Sequence, residues 1–529
     1  MNKKINMKQK SKILIFFLIL FILFSLFRVD YRFKTTVECC SDDYDYFIHA
    51  STIAFDFDLD YTNQEVRGFS YFKNEKETPI GFIGSGIYSS PFLYIGKLLS
   101  NLFKEDISKS ILNFQLLIYS LSPIFYLFAS FYFMAKTLNI YQINFKKYDL
   151  LLFMFSSGVA YFAFERFSMT HAYEHFSTAI LLFLISSFYI EKNNFNSSAF
   201  LIPIFLLLGY LTRMSNIYLF VLPLLIKGLL KKDNILTDRS LLKNRYFLFS
   251  SFFSILVFIF ISIQLYGEII INPQKIYGSN IEVSNVILGE NFNIFNFVIN
   301  FANTILITNF TLEFGLFWVS PILFLPFIHA FQILKKKEFM IFFLILFCFL
   351  QNYFIVHLWQ ALGSSYGFRY LFSLVPLAIL LYFNLQKTKF ETYYLRIFSI
   401  LGLISIIFFE ASPFTQLSLV DQTNSFGRII RYSNPTHVSG VIKSLFELNS
   451  YLIVFTTSLL GVLFFKILIS FIKLEALNNF LGILGLPVEN SDFQDYLANL
   501  NQIEFYKILF IIIFLIYIAY YIVYKLEKD

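Results

Sequence analysis

Six aspartates lie within nineteen residues near the start of the chain, although only 15% of its residues are charged. They are Asp42, Asp43, Asp45, Asp56, Asp58 and Asp60. Crowded ionised carboxylates repel one another, so such a cluster needs a cation, a basic ligand or open water. It could hold a divalent cation, Mg or Mn, through hard oxygen ligands, or supply a general base. The alternative is an acidic loop that water simply solvates.

Helical spacing divides the first three of these acids. In a helix, Asp42 and Asp45 share a face with Tyr46, whereas Asp43 points elsewhere. We take Asp42, Asp43 and Asp45 as the candidate catalytic acids, and Asp42 and Asp43 also as candidate metal ligands. The sequence permits a metal here without requiring one. The three later aspartates are expected to shape the loop.

A second polar segment runs from Glu165 to His175, between two apolar runs. His171 and His175 are four residues apart and share a helical face, as two metal ligands would. We expect His171, Glu174 and His175 to line the wall of a substrate site. A metal-binding pair and a plain cap at the membrane interface are the alternatives.

The amino-acid composition indicates which kind of secondary structure positions these residues. The 529 residues are 57% hydrophobic and 21% aromatic, with a mean hydropathy of +0.64, which excludes a soluble domain. The formal charge of +7 is spread over short loops, so it reports membrane orientation rather than nucleic-acid binding. Three cysteines, two of them adjacent, predict neither a disulfide framework nor a zinc site. We predict an all-α polytopic protein whose residues 1–529 form a single membrane domain.

Apolar runs of membrane-spanning length predict about 13 transmembrane helices. They lie near 13–27, 111–135, 149–165, 172–190, 199–212, 214–230, 246–266, 314–334, 338–356, 368–385, 394–410, 450–472 and 505–525. Five lysines precede the first run, so the N-terminus is expected in the cytoplasm. Lysine-rich alternate loops agree with that orientation through residue 390.

The opposite, outer face should collect the longer loops. These are 29–110, which carries the acids and an interfacial or re-entrant helix near 86–103, and the loops 267–312 and 411–449. Residues 474–504 are expected to form a cytoplasmic surface segment. This count leaves the C-terminal lysines outside, which conflicts with the positive-inside rule.

Short motifs resemble a known family. Asp42-Asp43-Tyr44-Asp45-Tyr46 resembles the Asp-Glu-x-x-Tyr motif that follows the first helix in many glycosyltransferases of the GT-C superfamily, with Asp43 in place of the glutamate. Residues 56–63 resemble the DGDLDxxNE stretch of a bacterial branch, related to protein mannosyltransferases and aminoarabinose transferases. Residues 78–92 (PIG and PF), 309–321 and 363–371 resemble its later motifs, in the same order.

The resemblance implies a GT-C-like bundle that transfers a sugar, with inversion, from a polyprenyl-phosphate donor to a lipid, glycan or protein acceptor. An aspartate would be the base or a metal ligand, in the outer face of a bacterial plasma membrane. Arg213, Arg369 and Lys76 would bind the donor phosphate. Tyr46 and Trp359 would join the histidine segment at the acceptor or sugar site.

Each of these residues has a simpler alternative. Placing a charged side chain at the centre of a membrane helix costs about 2.5–3.5 kcal/mol of insertion free energy, so Arg213 and Arg369 are functional candidates. The alternative is that both are interfacial anchors whose side chains reach the lipid headgroups. Trp359 could belong to an aromatic belt. A transporter or lipid-linked glycan flippase is the alternative function, although transporters tend to place charges near the midplane in two related halves.

Overall fold

The computed structural model describes residues 13–17, 19–20, 32–37, 41–66, 70–73, 76–191, 195–232, 240–271, 276, 293–311, 315–359, 366, 368–385, 389–409, 420–423, 429–432, 437–486, 488–489 and 491–528. The chain is mostly helical within these residues, as the composition predicts. Residues 13–17 and 19–20 of the predicted first span are helical, and the rest of that span lies outside the described residues.

We number the α-helices from the acidic segment onward. The first eleven are α1 (Ser41–Ser51), α2 (Ile83–Leu102), α3 (Phe114–Ile140), α4 (Lys147–Ser156), α5 (Val159–Phe164), α6 (His171–Ile190), α7 (Phe195–Thr212), α8 (Leu222–Lys232), α9 (Arg245–Tyr266), α10 (Ile294–Phe310) and α11 (Leu316–Val319). The others are α12 (Leu325–Lys335), α13 (Phe339–Trp359), α14 (Val375–Leu385), α15 (Lys389–Phe409), α16 (His437–Leu445), α17 (Leu448–Thr457), α18 (Leu459–Phe471), α19 (Leu474–Ile483), α20 (Ser491–Gln502) and α21 (Phe505–Lys528).

Short 3₁₀ and π segments and two hairpins complete the described elements. The 3₁₀ segments are Ile217–Phe220, Leu241–Lys243, Pro321–Phe324 and Arg369–Leu374, and the π segment is Thr52–Asp56. Antiparallel strands β1 (Ser70–Lys73) and β2 (Lys76–Pro79) pair with Ser70 opposite Pro79, and β3 (Val420–Thr423) and β4 (Ile429–Tyr432) pair with Val420 opposite Tyr432.

Asparagine side chains cap the N-termini of several long helices. The Asn113 side chain accepts a hydrogen bond from Leu116 N at the start of α3, and Asn244 accepts from Tyr246 N and Phe247 N at the start of α9. Each cap satisfies backbone N–H groups that the first turn leaves without a partner. Gly267, with φ of 68°, ends α9 in the left-handed conformation that glycine adopts readily.

Seven helices in the described residues are long and apolar enough to cross a membrane: Phe114–Ile140, His171–Ile190, Phe195–Thr212, Arg245–Tyr266, Phe339–His357, Lys389–Phe409 and Phe505–Leu526. Each coincides with one of the predicted spans. The pair α17 and α18 reaches membrane length together but bends by 77°. The structure thus supports an integral membrane protein with seven or eight such spans among the described residues, and the count of 13 is not confirmed.

Several other predicted spans contain backbone breaks in the described residues. The run near 149–165 divides into α4 and α5 at Gly158, whose φ of 94° interrupts the helix. The runs near 214–230 and 368–385 each begin with a 3₁₀ segment before a helix of 11 residues. In the run near 314–334, the short helix α11 and a 3₁₀ segment precede the 11-residue α12. Hydropathy detects apolar length but not such breaks, which explains the higher count from the sequence.

Contacts at both ends of α21 fix its direction in the bundle. Lys507, near its start, is buried and pairs with Glu105 of the first loop, and Asn499 just before it donates to Phe33 O at 2.9 Å. At the other end, Lys147 Nζ donates to Leu526 O at 2.6 Å. Helix α21 therefore runs parallel to α3, from the end with the first loop to the end with the predicted cytoplasmic lysines.

This direction bears on residues 474–504, for which the sequence predicts a cytoplasmic surface segment on the side opposite loop 29–110. Helix α20 lies at the same end of the bundle as loop 29–110, not at the opposite end. The C-terminal lysines fall at the end of Lys147, which removes the conflict with the positive-inside rule.

Candidate active site

Two glycines let the acidic helix α1 lie close to its neighbours. A Cβ atom on Gly86 of α2 would lie 2.6 Å from the Cβ of His49, and one on Gly84 would lie 2.2 Å from the backbone N of Thr212. Only glycine permits these approaches in a close-packed interior. Helix α2 consequently packs between α1 and the end of α7, which brings the acids beside the turn that carries Arg213.

Asp43 is buried and bound on both its side chain and its backbone. Its carboxylate pairs with the guanidinium of Arg166, and its backbone oxygen accepts a hydrogen bond from Ser168. Only 1% of Asp43 is exposed. Burial raises the pKa of Asp43, and Arg166 opposes that rise. The Asp43 carboxylate thus fastens α1 to the segment between α5 and α6 and presents no free face to a substrate.

Asp42, in contrast to Asp43, is accessible to solvent. Its side chain is 45% exposed, and its Oδ2 lies 3.5 Å from Nη2 of Arg369. Arg369 also lies over the ring of Tyr370, with 5.6 Å from Cζ to the ring centroid, and Arg213 lies over the same ring at 4.8 Å. Two arginines that are 156 positions apart in the chain thereby meet at one aromatic ring beside an accessible carboxylate.

Glu174 holds Arg213 in place. Its Oε1 lies 3.4 Å from Nε of Arg213, and its Oε2 accepts a hydrogen bond from Asn216 at 3.2 Å. Thr170 donates to the same carboxylate and accepts from Arg213 Nη2 at 3.3 Å. His171 Nδ1 lies 3.4 Å from Glu174 Oε1. All of these groups are buried around Arg213, and their predicted role in the wall of a substrate site stays a prediction.

Asp45 and Tyr46 lie beneath the accessible carboxylate. The backbone at Gly81 covers both, because a Cβ there would lie 3.0 Å from Tyr46 Cε1 and 3.2 Å from Asp45 Cβ. Burial, with a smaller effect from Asp42, raises the pKa of Asp45 to about 7. Burial also raises the pKa of Tyr46, and Arg213 and Arg369 oppose that rise, so its phenol lies within the field of both arginines.

His49 supports the far end of the acidic helix, and the sequence analysis did not identify it. Its Nδ1 lies 2.6 Å from Tyr61 Oη and its Nε2 lies 2.7 Å from Gly81 O. Burial lowers its pKa to about 4, so the ring is neutral near pH 7. Because the neutral ring donates from Nε2 to the Gly81 carbonyl, its Nδ1 accepts a hydrogen bond from the Tyr61 hydroxyl. The spacing of His49 one turn after Asp45 is the signal that could have identified it.

Other predicted site residues lie elsewhere. Lys76 Nζ donates to Gln264 O at 3.0 Å, where the hairpin of β1 and β2 meets the end of α9, so its charge neutralises a helix C-terminus. His175 is fully buried, and its ring nitrogens have no hydrogen-bond partner among the described residues. Trp359 is the last residue of α13, and its side chain lies outside what the structure describes.

The metal prediction receives no geometric support from the described residues. In that part of the chain, no three His, Cys, Asp or Glu side chains lie close enough together to hold an ion. The later aspartates order their own loop: Asp58 and Asp60 accept backbone N–H groups of Asp60 and Thr62, both at 3.1 Å. Asp56 Oδ2 accepts from Gln64 at 3.0 Å.

The comparisons add no relative. No protein-family model, curated protein sequence or solved structure shows a significant match to the chain. The interpretation of the site therefore depends on its own geometry.

Proposed function

We propose that this protein is a membrane glycosyltransferase that moves a sugar from a polyprenyl-phosphate donor to an acceptor at the membrane surface. The observation that carries the proposal is the group formed by Asp42, Arg369, Tyr370 and Arg213. It combines one accessible carboxylate with two cations, beside helices long enough to contact lipid along their length. A lipid donor suits this arrangement, because the bilayer can hold its apolar tail while the phosphate reaches the arginines.

Asp42 is the proposed base, because Asp43 is already bound to Arg166. The acceptor hydroxyl gives its proton to Asp42 as its oxygen forms a bond to the anomeric carbon. The bond from that carbon to the phosphate oxygen breaks at the same time, with inversion. Its electron pair stays on the leaving polyprenyl phosphate. Arg213 and Arg369 stabilise the negative charge that develops on this phosphate.

The remaining site residues position these groups. Glu174 orients Arg213 through its hydrogen-bonded carboxylate, and Tyr370 presents an aromatic face between the two guanidinium groups. Planar guanidinium groups match the oxygens of phosphate in a bidentate fashion, and lysine does not. We place the site at the outer face of a bacterial plasma membrane, with the N-terminus in the cytoplasm, because the predicted cytoplasmic lysines lie at the other end of the bundle.

The experiment measures release of polyprenyl phosphate. The purified protein in lipid nanodiscs receives a panel of polyprenyl-phosphate sugars together with membrane extract as the source of acceptor. We expect Asp42→Asn to lower the rate by about 10²–10⁴-fold, the range for loss of a general base. Asp58→Asn is the matched control, because Asp58 is an exposed carboxylate of the same loop that bonds only a neighbouring backbone N–H among the described contacts. Equal rates for wild type and Asp42→Asn would contradict the proposal.

A flippase for lipid-linked glycans is the second candidate. The buried Glu174 lies in a helix of membrane-spanning length, and ionisable residues in such helices often mark a transport path. Vesicles that contain the protein distinguish the two functions. Movement of a lipid-linked sugar between leaflets without release of polyprenyl phosphate would support the flippase.

A further inference from the structure

A groove separates the starts of α7 and α9, at the end of the bundle opposite the candidate active site. Its volume is about 860 Å³, within the ~300–1,000 Å³ of typical ligand pockets. Its lining comes from one face of each helix: Asn196, Ser197, Phe200 and Leu201 on α7, and Arg245, Tyr246 and Phe249 on α9. Asn244 Nδ2 donates to Asn196 Oδ1 at 3.2 Å and ties the two helices together at this end.

The polar and apolar residues of the groove are separated along its length. Asn196, Ser197, Arg245 and Tyr246 lie at the helix starts, and the apolar residues follow about one turn further into the bundle. Phe249 is 65% exposed and Phe200 is 36% exposed. The groove therefore offers hydrogen-bond donors and one positive charge at its mouth, and aromatic surface along the direction in which lipid chains run.

Arg245 is available to an anion. Its guanidinium lies over the ring of Tyr246, 5.0 Å from Cζ to the centroid, and donates to the tyrosine hydroxyl at 3.1 Å. No carboxylate pairs with it in the described part of the chain. Two further cations are exposed in this stretch: Lys227 lies within α8, and Lys243 lies in the segment that joins α8 to α9. The positive-inside rule assigns this segment to the cytoplasmic face, whose leaflet carries anionic lipids.

The depth of the groove in the bilayer agrees with this assignment. Helix α7 contains 18 residues, which at 1.5 Å per residue span about 27 Å, close to the ~30 Å of a hydrocarbon core. Its other end carries Arg213 and the candidate active site. The mouth of the groove thus lies one membrane thickness from the site, at the level of the opposite headgroups.

We propose that this groove binds one anionic phospholipid of the cytoplasmic leaflet, with the headgroup phosphate at Arg245 and an acyl chain against Phe200, Leu201 and Phe249. The charge at the mouth favours an anionic over a zwitterionic headgroup, and the aromatic surface requires a chain. A soluble phosphate would satisfy only the mouth. This inference does not depend on the proposed enzymatic function.

Native mass spectrometry of the full-length protein tests the proposal. The detergent-purified protein is mixed with phosphatidylglycerol or with phosphatidylcholine of the same chains, and the bound fraction is measured at increasing lipid concentration. We expect tighter binding of phosphatidylglycerol, and Arg245→Gln should weaken that binding about fivefold, which corresponds to the ~1 kcal/mol per basic residue at an anionic surface. Phe249→Ala should weaken the binding of both lipids.

The matched control is Lys243→Gln, which removes the same charge two residues earlier but outside the groove. It should leave the preference for phosphatidylglycerol intact. Equal binding of the two lipids, or an equal loss in Lys243→Gln and Arg245→Gln, would overturn the proposal. Displacement of phosphatidylglycerol by millimolar glycerol phosphate would also overturn it, because the site would then be a phosphate site without a role for the chain.

Discussion

Substitution of Asp43 by asparagine should destabilise the protein, whereas the same change at Asp42 should not. Asp43 is 1% exposed, and its partner Arg166 is 7% exposed. Removing one partner of a buried ion pair typically costs 3–5 kcal/mol, because the other charge loses its paired ion in the interior. The pair of Asp42 with Arg369 is longer, at 3.5 Å, and its carboxylate is 45% exposed. An exposed pair of this kind contributes about 0–1 kcal/mol.

Unfolding of the detergent-solubilised protein by denaturant measures both changes. Asp43→Asn and Arg166→Gln should each lower the free energy of unfolding by several kcal/mol. The double variant should lose less than the sum, because each single variant already removes the same ion pair. Asp42→Asn should unfold close to wild type while it loses transfer activity. The two neighbouring acids would thereby separate into one residue for stability and one for catalysis.

A different pattern would refute this reasoning. If Asp43→Asn and Arg166→Gln were additive in the double variant, the two side chains would not be coupled. If Asp43→Asn kept wild-type stability but lost activity, while Asp42→Asn stayed active, the catalytic assignment of the two acids would have to be exchanged.

The remaining predictions concern proton binding, packing and topology. Because burial raises the pKa of Asp45 to about 7, the native state binds this proton more tightly than the unfolded chain does, so stability should fall as pH rises from about 4 through 7. Asp45→Asn should flatten that decline in denaturation measured at a series of pH values, and an unchanged profile would contradict it. Gly84→Ala should destabilise by about 1–3 kcal/mol, since its Cβ would meet backbone at 2.2 Å, whereas Gly228→Ala would meet a side chain at 3.3 Å and should be tolerated. Cysteines substituted for Glu504 and Lys525 should react with a membrane-impermeant thiol reagent from opposite sides of the membrane. Labelling of both cysteines from the same side would disprove the direction of α21.

Hydropathy predicted the helical class and each of the seven long spans, because apolar length is a property of the sequence itself. It could not predict where an apolar run breaks. Gly158 interrupts one run because its φ is positive. Glycine permits this conformation, but the surrounding structure determines whether it is adopted. The junction of α17 and α18 is a second case: both segments are apolar, and hydropathy does not indicate the 77° bend between them.

The candidate site was predictable at the level of residue types but not of partners. Helical spacing predicts that Asp43 points away from the face of Asp42 and Asp45. Its partner Arg166 is 123 positions away, and no local pattern indicates that contact. Lys76 is the opposite case. The sequence groups this cation with the two arginines because it lies in the same loop as the acids, whereas its ammonium donates to a backbone oxygen at the end of α9. Long-range pairing is a result of packing, which a single sequence does not reveal.

The pairing of charges gives the proposed reaction an order of events. Three carboxylates in the described cluster each face one arginine: Asp43 with Arg166, Glu174 with Arg213, and Asp42 with Arg369. A donor phosphate needs cations, so it must compete with one of these pairs. The first two are buried, and opening them would expose an uncompensated charge to a low-dielectric interior. The pair of Asp42 with Arg369 is the longest and most exposed of the three, so breaking it costs the least free energy. Arrival of the phosphate at Arg369 would then release Asp42 from the one cation that pairs with it among the described residues, and its carboxylate could accept the proton of the acceptor hydroxyl.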